Sequence, residues 1–414
     1  MPTTKEETML PITGPPPMLE PHLEYFRPCF GRREAYEHFA EYVTGLICGM
    51  EATVEGIARI FVGHRDPSTK RRFLSDSPWS ADRVMRRLAA LAKRETKFRR
   101  PERGYLVIDD TDLEHDKESG KAEGGMEGLT WQKGPEGGWV NCHPLVTSLW
   151  VTPQGRFPGG FRLRLPDGVG KNRLAMWLIK RALRMGLLFK TVVFDAWYLC
   201  PLLMEFCEGH GLAWVSRLKS DRVGWVANVK VNLMEYFDGL PKGERAKTEV
   251  DGREITYATR CVRLTDGRKV KVVAAYEMGR SKETILVVAS ATTWTPESIL
   301  RAYGLRWRIE TFYRDAKQNL GLEAYMLRSV HAVKRHLALV FVAFTFLQLG
   351  SDGRRLGRLI ADVVNIGQRA REAVRQSVQM FVAWAAKAIV SGCDPVTITR
   401  LAYASRREVL TMSG

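Results

Sequence analysis

The sequence predicts an α/β protein: a mixed sheet flanked by helices, with a β-strand insertion and helical regions at both ends. Three observations lead there. Short apolar runs at residues 105–108 and 191–194 each lead into an aspartate, and an amphipathic helical stretch runs between them. Residues 220–293 are rich in β signals around Asp-Gly turns at 251–252 and 266–267. Apolar residues at helical spacing dominate 24–98 and most of the chain beyond 296.

A chain of 414 residues can bury a large core. Lysine and arginine exceed aspartate and glutamate by 63 − 46 = 17, and the pI is near 9.7. A surplus of that size speaks about partners rather than fold, and the simplest polyanion is nucleic acid. An anionic membrane would compete, but no lysine-rich amphipathic anchor or lipidation motif supports it. The seven cysteines (Cys29, Cys48, Cys142, Cys200, Cys207, Cys261 and Cys393) contain no Cys-x-x-Cys pair. They read as reduced thiols, against a disulfide frame or a zinc site. Acids and prolines stand near the N-terminus where a signal peptide needs a basic and then an apolar run. The longest apolar segment, 337–349, is too short to span a bilayer and is expected as a buried core helix. Together these features predict a soluble cytoplasmic protein.

Taken in order, residues 1–20 are rich in proline and threonine and are expected as a disordered tail. Residues 21–103 are expected to be helical, with Ser80 placed to cap a stretch that opens at Ala81. Lys70, Arg71, Arg72, Arg83, Arg86, Arg87, Lys93 and Arg94 make this region strongly basic. Such a region is either the charged surface of a bundle or a helical DNA-binding region, and it carries no clear helix-turn-helix wording. At Gly104 the character changes to a buried strand, 105–108, that ends in Asp109-Asp110-Thr111-Asp112. Residues 114–138 read as a long loop or open hairpin, and strand signals resume at 139–143 and 145–151. Residues 172–188 read as an amphipathic helix bearing Lys180, Arg181 and Arg184, just after Lys171. The strand that follows ends in Asp195, and a crossover would set it beside the first, bringing Asp109 and Asp195 together. Another strand at 212–216 leads to Arg217 and Lys219, basic residues near the second aspartate. After the β-rich 220–295, Thr295-Pro296-Glu297 looks like a cap opening one long helix through residue 317. A core helix and a mostly helical, partly basic C-terminal region (350–414) follow, with no internal repeat.

Residues 303–317 read Tyr-Gly-Leu-Arg-Trp-Arg-Ile-Glu-Thr-Phe-Tyr-Arg-Asp-Ala-Lys. On a continuous helix, Tyr303, Arg306, Glu310, Arg314 and Lys317 share one face, while Leu305, Ile309, Phe312, Ala316 and Leu320 form an apolar stripe. A solvated surface would show the same i,i+4 pairs, each contributing about 0.2–0.5 kcal/mol. The wording Tyr-x2-Arg-x3-Glu-x6-Lys is more specific. It resembles the YREK signature of bacterial insertion-sequence transposases, the DDE family that moves DNA by cut and paste. The strand, acid and hairpin order upstream resembles the start of a ribonuclease-H-like fold, and 220–295 resembles the β-strand insertion of that family.

The resemblance covers about residues 104–329. It implies a catalytic core in two parts, 104–219 and 296–349. It also implies a catalytic, metal-binding set of Asp109, Asp195 and Glu310. Three carboxylates suit two Mg²⁺ ions, with Mn²⁺ able to substitute, because hard divalent cations take carboxylate oxygen and stabilise both the attacking and leaving oxygens of a phosphodiester. No His/Cys cluster competes; His143 and His210 are single imidazoles in apolar surroundings. Asp109 fits the family's Asp-x-Thr with Thr111 in third place, and Asp110 is the alternative if the strand ends early. The resemblance further implies DNA contacts from Tyr303, Arg306, Trp307 and Lys317, to which Arg314 on the same helix face and the basic Arg217 and Lys219 add by position. Its partners would be double-stranded DNA, at element ends and target, and a second copy in a homodimer, with no membrane. The second motif reads Asp195-Ala196-Trp197-Tyr198 where some relatives have Asp-Arg-Glu, so the hairpin-opening residues stay open. Two other functions remain: a catalytically silent DNA-binding regulator, or a ribonuclease-H-like nuclease without strand transfer.

Overall fold

The computed structural model describes residues 10–49, 51–116, 125–134, 137–278, 283–349 and 365–404. Five helices come first: α1 (Glu20–Tyr25), α2 (Arg33–Cys48), α3 (Val54–Arg59), α4 (Pro67–Ser75) and α5 (Ala81–Thr96). Then come β1 (Tyr105–His115), β2 (Thr130–Lys133), β3 (Trp139–Thr152), β4 (Gly155–Leu163), α6 (Lys171–Arg184), β5 (Thr191–Phe194), α7 (Pro201–Gly209) and β6 (Ala213–Arg217). The β-rich stretch gives β7 (Val223–Val226), β8 (Val229–Asn232), α8 (Leu233–Asp238), β9 (Ala246–Val250), β10 (Arg253–Leu264), β11 (Lys269–Met278) and β12 (Glu283–Ala289). The chain ends in α9 (Pro296–Gly304), α10 (Trp307–Leu320), α11 (Val330–Leu349), α12 (Ile366–Val390) and α13 (Pro395–Tyr403).

The strands form a twelve-stranded mixed sheet in the order β2-β3-β1-β5-β6-β12-β11-β10-β7-β8, with β4 on β3 and β9 on β10. The expected mixed α/β architecture is what the structure has. The chain divides into two compact units. A helical unit holds Met1–Lys97, Asp112–His143 and Phe312–Gly414, and a sheet unit holds Phe98–Thr111 and Pro144–Thr311.

In the helical unit, α11 packs on α2, α4, α5 and α12. It is longer than the apolar run that predicted it. At 20 residues it is long and apolar enough to cross a membrane by length and composition, yet 83% of its most apolar window is buried inside the protein. Its Arg335 is buried and donates to the carbonyls of Leu74 at 3.0 Å, Ser77 at 2.6 Å and Trp79, with its guanidinium over the Trp79 ring. α5 starts as the sequence predicts: the Ser80 hydroxyl accepts from the Arg83 N–H at 3.3 Å, and Val84, Met85, Leu88 and Leu91 turn inward. Lys70, counted with the basic surface, is only 1% exposed. Its ammonium pairs with Glu41 and lies 3.0 Å from His38 Nδ1, because α4 turns that side toward α2. Residues 10–20, expected within a disordered tail, are held. Ile12 hydrogen-bonds Ile60 and Val62, and Met18 and Leu19 are buried. Residues 1–9 and 350–364, parts of the expected tail and C-terminal helical region, lie outside the described residues.

In the sheet unit, β1 pairs in parallel with β5, from Tyr105↔Thr191 to Ile108↔Phe194, and β5 in parallel with β6. All four β5 residues are buried, as a strand in a parallel sheet covered by helices requires. Gly104, at the entry to β1, has no alternative: a Cβ there would stand 2.1 Å from the Leu188 carbonyl oxygen. Two sequence expectations are corrected here, and a third is extended. β1 does not stop at Ile108 but runs to His115, so Asp109 lies within a strand rather than at its end. The strands expected at 139–143 and 145–151 are one strand, β3, continuous through Pro144. The β-rich stretch continues the same sheet, since β12 takes the free edge of β6 antiparallel, from Arg217↔Val287 to Val215↔Ala289.

The single helix expected from Thr295 through residue 317 is two. Thr295 caps α9 through a 3.2 Å bond from the Ser298 N–H, and α9 ends at Gly304. Across the joint the backbone tightens into i→i−3 bonds: Leu305 to Ala302, Arg306 to Tyr303, Arg308 to Leu305 and Ile309 to Arg306. α10 then starts at Trp307. Arg306 sits in that joint, not mid-helix.

Candidate active site

Asp109 and Asp195 each come one residue after the last register pair between β1 and β5, Ile108↔Phe194. They therefore stand side by side where adjacent parallel strands part, at a strand spacing of about 4.8 Å. One Asp109 oxygen, Oδ1, accepts from the Asp110 backbone N–H at 2.9 Å; the other, Oδ2, accepts from Arg306 Nη1 at 3.0 Å. The second guanidinium nitrogen of Arg306 pairs with Glu310 Oε1 one turn further on. The tight joint thus lets one arginine link the first strand's acid to the helix's acid.

Electrostatics tie the same residues together. Burial pushes the Asp109 carboxyl up to about 7; Arg306 draws it down, and the charges of Asp110 and Asp195 push it up again. Burial works against the charge on Arg306, but Tyr303, Asp109, Glu310 and Asp195 outweigh it and hold the guanidinium more firmly protonated than usual. Burial likewise raises the Tyr303 hydroxyl, opposed by Arg306 and Arg217 and reinforced by Asp195. Asp109, Asp195, Glu310, Tyr303, Arg306 and Arg217 are in this way one cluster.

Alternation along β1 decides between the two neighbouring acids. Asp110 faces the other way, where it pairs with the Lys171 ammonium and accepts from the fully buried Tyr198 hydroxyl at 2.7 Å. Asp109 is the one beside Asp195 and Arg306. Of the other expected site residues, Lys219 is exposed just beyond β6, and Trp307 is exposed to 59%. Arg314 and Lys317 belong to the helical unit. Arg314 is exposed, but Lys317 donates to the Asp112 carbonyl at 2.9 Å and pairs with Glu323 at 2.7 Å.

Sequence reasoning missed the supports. Buried Arg156, on β4, donates to the Arg308 carbonyl at 3.1 Å and bonds the Thr311 hydroxyl, fixing the first turn of α10 on either side of Glu310. Nothing in the spacing of β4 marks it. Tyr198 did carry a signal, standing three residues past Asp195, but its partner Asp110 is far away in sequence.

As to metal, the three acids offer carboxylate oxygen alone, the donor that hard divalent cations take. Burial outweighs the one guanidinium beside Asp109 and leaves its carboxylate short of positive charge. The fit is one of donor chemistry. Among the described residues no three acid, histidine or cysteine side chains already close around one point, and Arg306 lies between Asp109 and Glu310.

Two family models match the chain: one described as a transposase DDE domain, over residues 100–346, and one described as a DDE superfamily endonuclease, over residues 25–169. No curated protein matches it. Among solved structures, the piggyBac transposase synaptic complex with hairpin DNA aligns at a TM-score of 0.45 and 11% identity, over 93% of this chain and 86% of that one. The NurA nuclease from Sulfolobus solfataricus aligns at a TM-score of 0.26 and 8% identity, over 49% and 72%. The first family match covers more than half of the chain and spans Asp109, Asp195 and Glu310: the chain belongs to the transposase DDE domain family.

Proposed function

We propose that this protein is a DNA transposase of the insertion-sequence type, which excises its element and joins it to a target by phosphodiester hydrolysis and transesterification. Asp109, Asp195 and Glu310 would be its metal-binding carboxylates. The observation that carries this reading is the convergence of acids distant in sequence on the single guanidinium of Arg306.

Members of the DDE superfamily generally work with divalent metal ions, and Mg²⁺, replaceable by Mn²⁺, suits this donor set. Such ions would supply activation of the attacking oxygen and neutralisation of the leaving one. The chain's own residues do the rest. Asp109 and Asp195 are held in place by paired strands, and Glu310 by a helix that Arg156 braces; Arg306, which pairs with both Asp109 and Glu310, would have to give way for the carboxylates to share ions. Arg306 and Tyr303 stand where a phosphate would approach the acids, with Arg217 alongside and the exposed ammonium of Lys219 beyond. Trp307 presents an open ring to a displaced base, a placement that argues against plain core packing. Lys317 completes the YREK wording with Tyr303, Arg306 and Glu310, and Arg314 is a further exposed cation on the same helix. Lys317 would have to exchange Glu323 for a phosphate to act on DNA. The partners would be double-stranded DNA, at element ends and target, and a second copy of the chain, in a bacterial cytoplasm.

The test is Glu310→Gln, assayed on a plasmid carrying the inverted repeats that flank the coding sequence. Cleavage in Mg²⁺ should fall at least about 10²–10³-fold while binding to the repeats is kept. Cleavage at the wild-type rate would remove Glu310 from the site. A wild-type protein that cuts but joins nothing to a supercoiled target would instead be a nuclease.

A further inference from the structure

α6 buries Leu174, Ala175, Leu178, Ile179 and Ala182, which leaves its opposite side open. That side carries Arg173, Trp177, Lys180 and Arg184, all exposed, with Trp177 exposed to 50%. Their spacing of four, three and four residues keeps them in one narrow line about 16 Å long. Among the described residues none of the three cations has an acidic partner. α5, the other basic helix, differs: its Arg86 pairs with Asp82, its Arg94 with Glu95, and its Arg87 is spent on the Tyr25 carbonyl. The α6 line also starts at a telling place. Lys171, the first residue of the helix, pairs with Asp110 on β1, which faces the opposite way from the adjacent Asp109, so the line starts on the strand that carries Asp109.

We propose that this face of α6 is a DNA-binding track leading away from the carboxylates, with Arg173, Lys180 and Arg184 on successive phosphates and Trp177 stacked on an unpaired base. The charge is complementary to a phosphate backbone, and the chain as a whole carries a surplus of 17. An aromatic ring set among cations is the combination that binds single-stranded nucleic acid. A protein partner would want apolar neighbours around Trp177, and the exposed line has none. This track rests on the reading of the chain as a DNA enzyme and adds to it a second, non-catalytic contact.

The experiment measures affinity for a labelled duplex, and for the same duplex with a single-stranded tail, without divalent metal so that no cleavage occurs. Across about 50 to 200 mM salt, log K should fall along a straight line for the wild type. The triple change Arg173→Ala, Lys180→Ala, Arg184→Ala should make that slope shallower by up to about 2.7, at about 0.9 for each phosphate no longer neutralised. Lysine at positions 173 and 184, with Lys180 kept, should restore it. Trp177→Ala should weaken the tailed DNA by about 5- to 150-fold and leave the blunt duplex within about twofold. A control triple in the β-rich part, Lys242→Ala, Arg253→Ala, Lys269→Ala, removes the same charge and should leave the slope near wild type. Equal flattening by both triples, or none by the α6 triple while the wild type binds steeply, would overturn the track alone. A wild type without salt-dependent DNA binding would overturn the track together with the reading it rests on.

Discussion

Adjacent carboxylates on a strand face opposite ways, and Asp109 and Asp110 live in different surroundings as a result. Lys171 and Tyr198 both bond Asp110, which ties the start of α6 and the turn after β5 to β1. Asp109 is buried against like charge, and burial pushes its carboxyl up to about 7. The two should separate cleanly on substitution. Asp110→Asn should cost about 1–3 kcal/mol of stability, because a partly buried ammonium loses its counter-charge. Asp109→Asn should leave stability within about 1 kcal/mol, since the neutral form is the one burial favours, and should abolish DNA cleavage. Urea melts beside a cleavage assay read both. A destabilised Asp109→Asn with intact cleavage would exchange the roles assigned here.

At the scale of elements, Glu310 is placed by the joint between α9 and α10 and by Arg156 behind it. Arg156→Met removes the donor that bonds the Arg308 carbonyl and the Thr311 hydroxyl. A shift of about 1 Å in α10 should lower the cleavage rate on the order of 10²-fold, with DNA affinity unchanged. Loss of affinity with an unchanged rate would show that Arg156 does not position Glu310. Much of the element pattern was legible because it is local. Apolar runs marked β1 and β5, Ser80 and Thr295 marked helix starts, and the signature spacing marked Glu310. The joint at 304–306 was hidden because tight i→i−3 bonds preserve helical periodicity over so few residues. The length of β1 was hidden because Asp109, Asp110 and Asp112 look like a loop until Arg306 pairs with Asp109 and Lys171 with Asp110. Arg156 was invisible because its partners lie more than 150 residues away.

At the scale of the whole molecule, stability against acid should be set by histidines buried neutral in the helical unit. His336, on α11, accepts from the Tyr42 hydroxyl at 2.9 Å and donates to the Gly321 carbonyl at 3.0 Å, so it bridges α11 to α2. His143 joins the Glu127 carbonyl and the Tyr325 hydroxyl. His115 packs against Tyr325 with its Nε2 buried and without a hydrogen-bond partner. Burial lowers all three and takes His115 and His336 down to about 4. A depressed histidine pKa means that the unfolded chain binds protons more readily than the folded one. The stabilisation is therefore complete above the ordinary value of 6.5 and is lost as pH falls from there toward 4. The fully buried His336 contributes about 3 kcal/mol across that window, and the partly exposed His115 contributes less. Ordinary glutamates titrate near 4.5, so the upper part of the window belongs to the histidines. Urea midpoints should hold level from pH about 8 to 7 and fall between 6.5 and 4.5, as the unfolded chain takes up about one to two more protons net: two to three on the histidines, less the one that Asp109, raised to about 7 by burial, keeps in the folded state. His115→Phe, which fills the same apolar site without an unpaired nitrogen, should take about one proton out of that slope. A midpoint that stays level down to pH 4.5 would mean these imidazoles reach water and are not buried neutral.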